Sequence, residues 1–261
     1  MTATTASIRP LIAHTKVQVI DLIRTPIAII STTIFPTLAF LFFVLPQGEV
    51  TSNAIYSLGV VAQLGVFGVM SAYLFGYGIG VAEERANPWT TYLRTLPIGP
   101  LPMTVARFLS AALASFLSLL PLAITVGLLT EAPSAFTSGQ LSLARIPFAL
   151  VIILVAATPF LAMGLSIGYL LSSKAAVAVA QVLNFPLAFI GGLMLPPEMF
   201  PGWLDVVSLA TPARAARDTV IWALTGADMP ASTIPVLVGW TIALTALAVW
   251  ANRRDEGRRF R

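Results

Sequence analysis

Gly164-Leu165-Ser166-Ile167-Gly168 has the G-x-S-x-G spacing in which a tight turn presents a serine hydroxyl as a nucleophile. That chemistry needs a neighbouring base to take the hydroxyl proton. The chain has one histidine, His14, far from Ser166 in a charged N-terminal segment, and the apolar stretches around and after Ser166 bring no aspartate. The same residues also read as G-x-x-x-G, with Gly164 and Gly168 letting two helices approach closely in lipid. Gly76 and Gly80 repeat that spacing and take the same reading. Small-residue packing is therefore the expectation for Ser166, and labelling by an activity-based serine probe would restore the enzyme.

Other chemistry is missing as well. Without cysteine there are no disulfides, thiolate metal sites or cysteine nucleophiles. There is no G-x-x-x-x-G-K-[ST], so the chain has no nucleotide-binding P-loop of its own, and no D-x-x-D pair suited to a metal. No cofactor or metal is expected in this chain.

Water is not the solvent for most of the surface. Of 261 residues, 57% are hydrophobic and 10% charged, against about 25% charged in soluble domains. Runs free of Asp, Glu, Lys and Arg cover Thr25–Gly48, Val50–Ala82, Phe108–Thr130, Ile146–Ser173, Ala175–Pro197 and Met229–Asn252. About 20 residues cross the ~30 Å hydrocarbon layer. One helix from Ile146 to Pro197 would reach about 78 Å, so this stretch must fold back at Ser172-Ser173-Lys174. The expectation is an all-α polytopic membrane protein with six transmembrane helices at 27–45, 54–82, 104–130, 146–172, 175–195 and 233–251.

Positive charge sets the orientation. With both termini inside, twelve of the fifteen Lys and Arg residues are cytoplasmic, and only Arg145, Arg214 and Arg217 are outside. Trp203, Trp222, Trp240 and Trp250 sit near span ends, as interfacial aromatics do. The positive charge is almost all arginine, which fits a GC-rich bacterial coding sequence.

Three segments lie outside the spans. In 1–25, Ile8, Leu11, Ile12, Thr15, Val19, Leu22 and Ile23 fall within about 60° on a helical wheel, and Arg9, His14, Lys16, Asp21 and Arg24 lie outside that arc. Such a helix lies in the cytoplasmic headgroup plane. It serves either as an anchor or as a lever on the first span. Segment 83–103 starts with Glu83-Glu84-Arg85, then Asn87 and Pro88 suit the start of a short helix carrying Trp89, Tyr92, Leu93 and Arg94. Its aromatics either dip into lipid or dock into a partner. Pro97, Pro100 and Pro102 are expected to delay the next helix to about Met103. Segment 196–232 is too long for a turn and too apolar for disorder. A short helix over Pro201–Leu209 and a second from Thr211-Pro212 to Thr225, closed by Gly226, make a hairpin before the last span. Arg214 and Asp218 are spaced to pair.

The order of these features resembles the ABC type-2 permease family over nearly the whole chain. Glu83-Glu84-Arg85, then Leu93-Arg94-Thr95-Leu96-Pro97-Ile98 and Ala106-Arg107-Phe108, looks like the family's segment after span two. Phe185-Pro186, then Gly191-Gly192-Leu193-Met194-Leu195-Pro196-Pro197 through Trp203-Leu204, and Ala210-Thr211-Pro212, is similar to its glycine break and proline run. The chain departs from the family at Asn87-Pro88-Trp89-Thr90, where Gly-Thr is common, and at Thr211, where Asn is commoner.

The resemblance implies a permease subunit without enzyme activity, in the bacterial cytoplasmic membrane, working with separate ABC ATPase subunits that bind ATP and Mg and with a second permease copy or paralogue. Nucleic acid is not an expected partner; lipid is. Glu83, Glu84, Arg85, Trp89, Tyr92 and Arg94 would couple to the ATPase. Spans one, two and five would line a route for a hydrophobic drug, antibiotic or lipid-like substrate, with Phe35, Phe40, Phe43, Phe185, Phe189 and Met194 as candidate lining. Intramembrane carboxylates and histidines, the usual carriers in ion-coupled transport, are missing from the span cores. A secondary carrier or channel working without an ATPase is the alternative.

Overall fold

A computed structural model describes residues 34–87 and 100–259, and every element among them is helical. In chain order these are α1 (Ile34–Val44), the single turn α2 (Gly48–Thr51), α3 (Ala54–Ala86), α4 (Pro100–Leu129), the single turn α5 (Ser134–Thr137) and α6 (Arg145–Leu170). Then come α7 (Ser173–Ile190), α8 (Gly202–Leu209), α9 (Pro212–Thr225) and α10 (Thr233–Arg259). Helices α3, α6, α7 and α10 are long and apolar enough to cross a membrane, and Ile34–Val44 and Ser115–Leu129 are shorter apolar helices. The chain is a polytopic helical membrane protein. The expected N-terminal helix over 1–25 and the short helix after Asn87 lie outside the described residues.

Helix α3 is the hub. In its most apolar stretch 78% of residues are buried, against 22% in α7 and in α10, so α3 is surrounded by protein while the other two face outward. Leu64, Val66, Phe67, Val69, Met70 and Leu74 pack inside it. Asn53 caps its start, its side chain accepting from the backbone N–H of Ile55 and Tyr56.

Between Tyr73 and Tyr77 the helix widens into a π turn, a feature that hydropathy does not reveal. Helix α6 fits against this turn through the two glycines of its small-residue motif. A Cβ on Gly164 would strike the Tyr73 carbonyl oxygen, and one on Gly168 would come within 2.6 Å of Val81 Cβ. Close packing is thus the role of Gly164 and Gly168. The Ser166 hydroxyl donates to the Ala162 carbonyl of its own helix at 2.8 Å.

The same reading of Gly76 and Gly80 needs correction. A Cβ on either would meet nothing within 4 Å, whereas one on Gly65 would press on Leu119 and one on Gly68 on Pro36. Within this chain the α3 glycines that face a neighbour are Gly65, Gly68 and Gly78, not the pair that sequence spacing selects.

Prolines give a second correction. Helix α4 starts at Pro100, ahead of the expected Met103. Pro100 and Pro102 fall in the first turn, whose N–H groups have no partner inside the helix, so their missing donors cost nothing. Pro121 and Pro186 lie inside α4 and α7.

The fold-back between α6 and α7 is as tight as expected, with α6 ending at Leu170 and α7 starting at Ser173. Helix α7 stops at Ile190, where Gly192 takes φ +72°, and Leu193 N–H bonds back to the Ala188 carbonyl. The hairpin α8–α9 follows. Thr211 caps α9, its hydroxyl accepting from Arg214 N–H, and left-handed Gly226 closes it. Helix α9 sinks its alanine face (Ala213, Ala215, Ala216, Ala223) into the core, while Trp203 and Val206 leave α8 exposed.

Candidate functional site

Three groups of side chains could carry function. The first gathers where α3, α6 and α10 end. Arg85, in the last turn of α3, donates from Nη1 to the Gly168 carbonyl at 2.7 Å and to the Leu171 carbonyl at 3.1 Å. These are terminal carbonyls of α6 that lack a helical partner, and the negative end of its dipole favours a cation there. From Nε, at 2.9 Å, and from Nη2, Arg85 also donates to Asp255 Oδ1 on α10. Asp255 is buried and the Arg85 side chain is 21% exposed, so removing the arginine would leave a buried carboxylate without its cation. A cavity of about 250 Å³ adjoins the pair, lined by Arg85, Tyr169, Leu170, Ala251, Arg254 and Asp255. The Arg254 guanidinium stacks 5.2 Å from the Trp250 ring centroid.

Arg85 was expected to face a partner, yet its guanidinium is bound within the chain. Glu83 and Glu84, immediately before it, are exposed. Trp89, Tyr92 and Arg94 lie outside the described residues.

The second group belongs to the hairpin. Arg214 Nε donates to Asp218 Oδ2 at 2.7 Å, the spacing-predicted pair, and its Nη1 reaches Asp205 on α8 at 3.1 Å. Arg217 Nη1 donates to the other Asp218 oxygen at 2.7 Å. Its Nε reaches Gln63 Oε1 on α3 at 3.3 Å, and Gln63 Nε2 donates to the Leu193 carbonyl at 3.2 Å. Burial pushes the Arg217 pKa below the usual guanidinium range, and the Asp218 charge opposes that shift. The side chain stays protonated. Arg217 and Gln63 were not singled out from sequence, although a lone glutamine inside an apolar span implies a buried polar partner.

Two more contacts fix the hairpin to the bundle. Arg145, at the start of α6, donates to the Ala223 carbonyl at 3.2 Å, near the end of α9. Trp240 Nε1 on α10 donates to the Ala210 carbonyl at 2.8 Å. The Arg85 cluster and the hairpin network therefore sit at opposite ends of α6 and α10.

The third group is aromatic and lies where α1 meets α7. Phe35 is 6.3 Å from Phe185, edge to face, and 5.6 Å from Phe67. Phe43 and Phe189 are exposed, Met194 is half-buried against the core and Phe40 is fully buried in it. Beneath this surface the Ser71 hydroxyl donates to Asn184 Oδ1 at 3.1 Å, a buried bond between α3 and α7.

YvfS of Bacillus subtilis (strain 168), designated a transport permease, is 25% identical to this chain over 242 residues, 90% of this chain and 93% of that protein. The sequence profile of the ABC-2 type transporter family matches residues 10–247, and the chain belongs to that family.

Proposed function

We propose that this permease is the membrane subunit of an ATP-driven exporter, with ATP and Mg bound by a separate ABC ATPase chain. The observation that carries this reading is the lack of charge in the six apolar runs. Such spans offer no carboxylate or histidine to take up a coupling proton, which favours a driving force delivered by a partner over proton coupling.

In this reading the chain crosses the bacterial plasma membrane six times with both ends inside. The segment after Asn87 docks on the ATPase through Trp89, Tyr92 and Arg94, with exposed Glu83 and Glu84 beside it. A second permease copy or paralogue completes the translocation route. The exposed aromatic surface of Phe35, Phe43, Phe185 and Phe189 suits a hydrophobic drug or lipid-like substrate, and the pliable Met194 side chain suits varied shapes. Phe40 supports this surface from the core.

Coexpression with a separate ABC ATPase chain of the kind proposed, followed by reconstitution into vesicles, tests the proposal. Extrusion of a hydrophobic dye is expected to need ATP and to persist when ion gradients are collapsed. Extrusion by the permease alone, driven by an ion gradient, would overturn it in favour of a secondary carrier.

A further inference from the structure

Arg85 is the last charged residue before the segment that the proposed function assigns to ATPase docking, and its guanidinium ties three helix ends together. Nε and Nη2 hold Asp255 of α10, and Nη1 holds the Gly168 and Leu171 carbonyls at the end of α6. Further along the same helices, Gly164 and Gly168 leave no room between α6 and α3. Ala162 of α6 packs with Leu244 and Ala248 of α10. Packing of α6 against α3 and α10 thus runs from Ala162 to the Arg85 pair. A packed seam of this kind transmits displacement instead of absorbing it.

We propose that Arg85 and Asp255 are positioning residues that lock the ends of α3, α6 and α10 into one body, so that a push on the segment after Asn87 moves all three helices together. The push itself rests on the proposed ATPase coupling; the lock does not. An arginine is required because one planar fork must serve a carboxylate and two carbonyls at once. A lysine ammonium in its place would reach one side of the junction and release the other.

The natural chain has no cysteine, so a spin-labelled pair is unambiguous. Ala86→Cys and Arg253→Cys place labels at exposed sites on α3 and α10. In lipid nanodiscs, without nucleotide, pulsed electron paramagnetic resonance is expected to give one narrow distance. Arg85→Ala and Asp255→Ala broaden it, and Arg85→Lys, the milder change that keeps the charge, gives an intermediate width. With the ATPase bound and trapped with ATP and vanadate, the distance keeps its narrow nucleotide-free value. In the same complex, Arg85→Lys lowers dye extruded per ATP by about fivefold or more while leaving ATPase binding unchanged.

A distribution in Arg85→Ala as narrow as in the parent would overturn the lock. So would a distance that changes on trapping, or an Arg85→Lys complex with undiminished extrusion per ATP. If the parent chain neither binds the ATPase nor extrudes dye, the coupling reading fails, and the nucleotide-free distances still decide the lock.

Discussion

Arg217 is a cation whose side chain is only 10% exposed, and its surroundings show what keeps it there. Asp218 neutralises it, and Gln63 relays a further bond to the Leu193 carbonyl at the corner after α7. Breaking a buried pair by removing one partner costs about 3–5 kcal/mol, because the other charge stays behind. Arg217→Ala is expected to approach that range, read as a lowered thermal midpoint of the purified protein in detergent. Arg214→Ala should cost less, since its Asp205 partner is 43% exposed and Asp218 would keep Arg217. Equal losses in the two variants would mean that the buried Gln63 contact adds nothing.

Glycines give a second residue-scale test. Gly164→Ala drives a methyl into the Tyr73 carbonyl, and overpacking of this kind costs about 1–3 kcal/mol. Gly80→Ala meets open space and should be neutral or stabilising by up to about 1 kcal/mol through helix propensity. The same melting assay separates them. G-x-x-x-G spacing is visible in sequence at both places, but only the three-dimensional phase of α3 tells which pair touches a neighbour.

At the scale of elements, the sequence is most legible where local rules act alone. Thr211 and Pro212 start α9 and Gly226 ends it because capping and left-handed backbone are decided within a few residues. The fold-back at Ser172 follows from chain length alone. What stays hidden is the depth of the hairpin. Alanines are mute in sequence, yet the α9 alanine face lets that helix press into the bundle beside α3 and α6. The bond from Trp240 to the Ala210 carbonyl then joins α10 to the α8–α9 turn. Trp240→Phe keeps the ring and deletes this donor. It should speed amide hydrogen exchange at the start of α9 without changing exchange in α3. Unchanged exchange throughout would show that the alanine packing holds the hairpin without the indole.

For the whole molecule, orientation in the bilayer is the step that links geometry to function. The ends of α3, α6 and α10 meet at Arg85 and Asp255, and the starts of α6 and α10 meet the hairpin. The proposed orientation puts the end with Arg85, Lys174, Arg253 and Arg254 in the cytosol and the end with Arg145, Arg214 and Arg217 outside. In that orientation the proposed ATPase would meet the first end. Lys174→Cys and Asp228→Cys, each as the single thiol of the chain, test this directly. In intact cells a membrane-impermeant maleimide should label Asp228→Cys and spare Lys174→Cys, and opening the cells should expose Lys174→Cys. The reverse pattern would put the Arg85 junction outside, away from any cytosolic ATPase. The proposed coupling would then have no energy source, even with every contact in the fold intact.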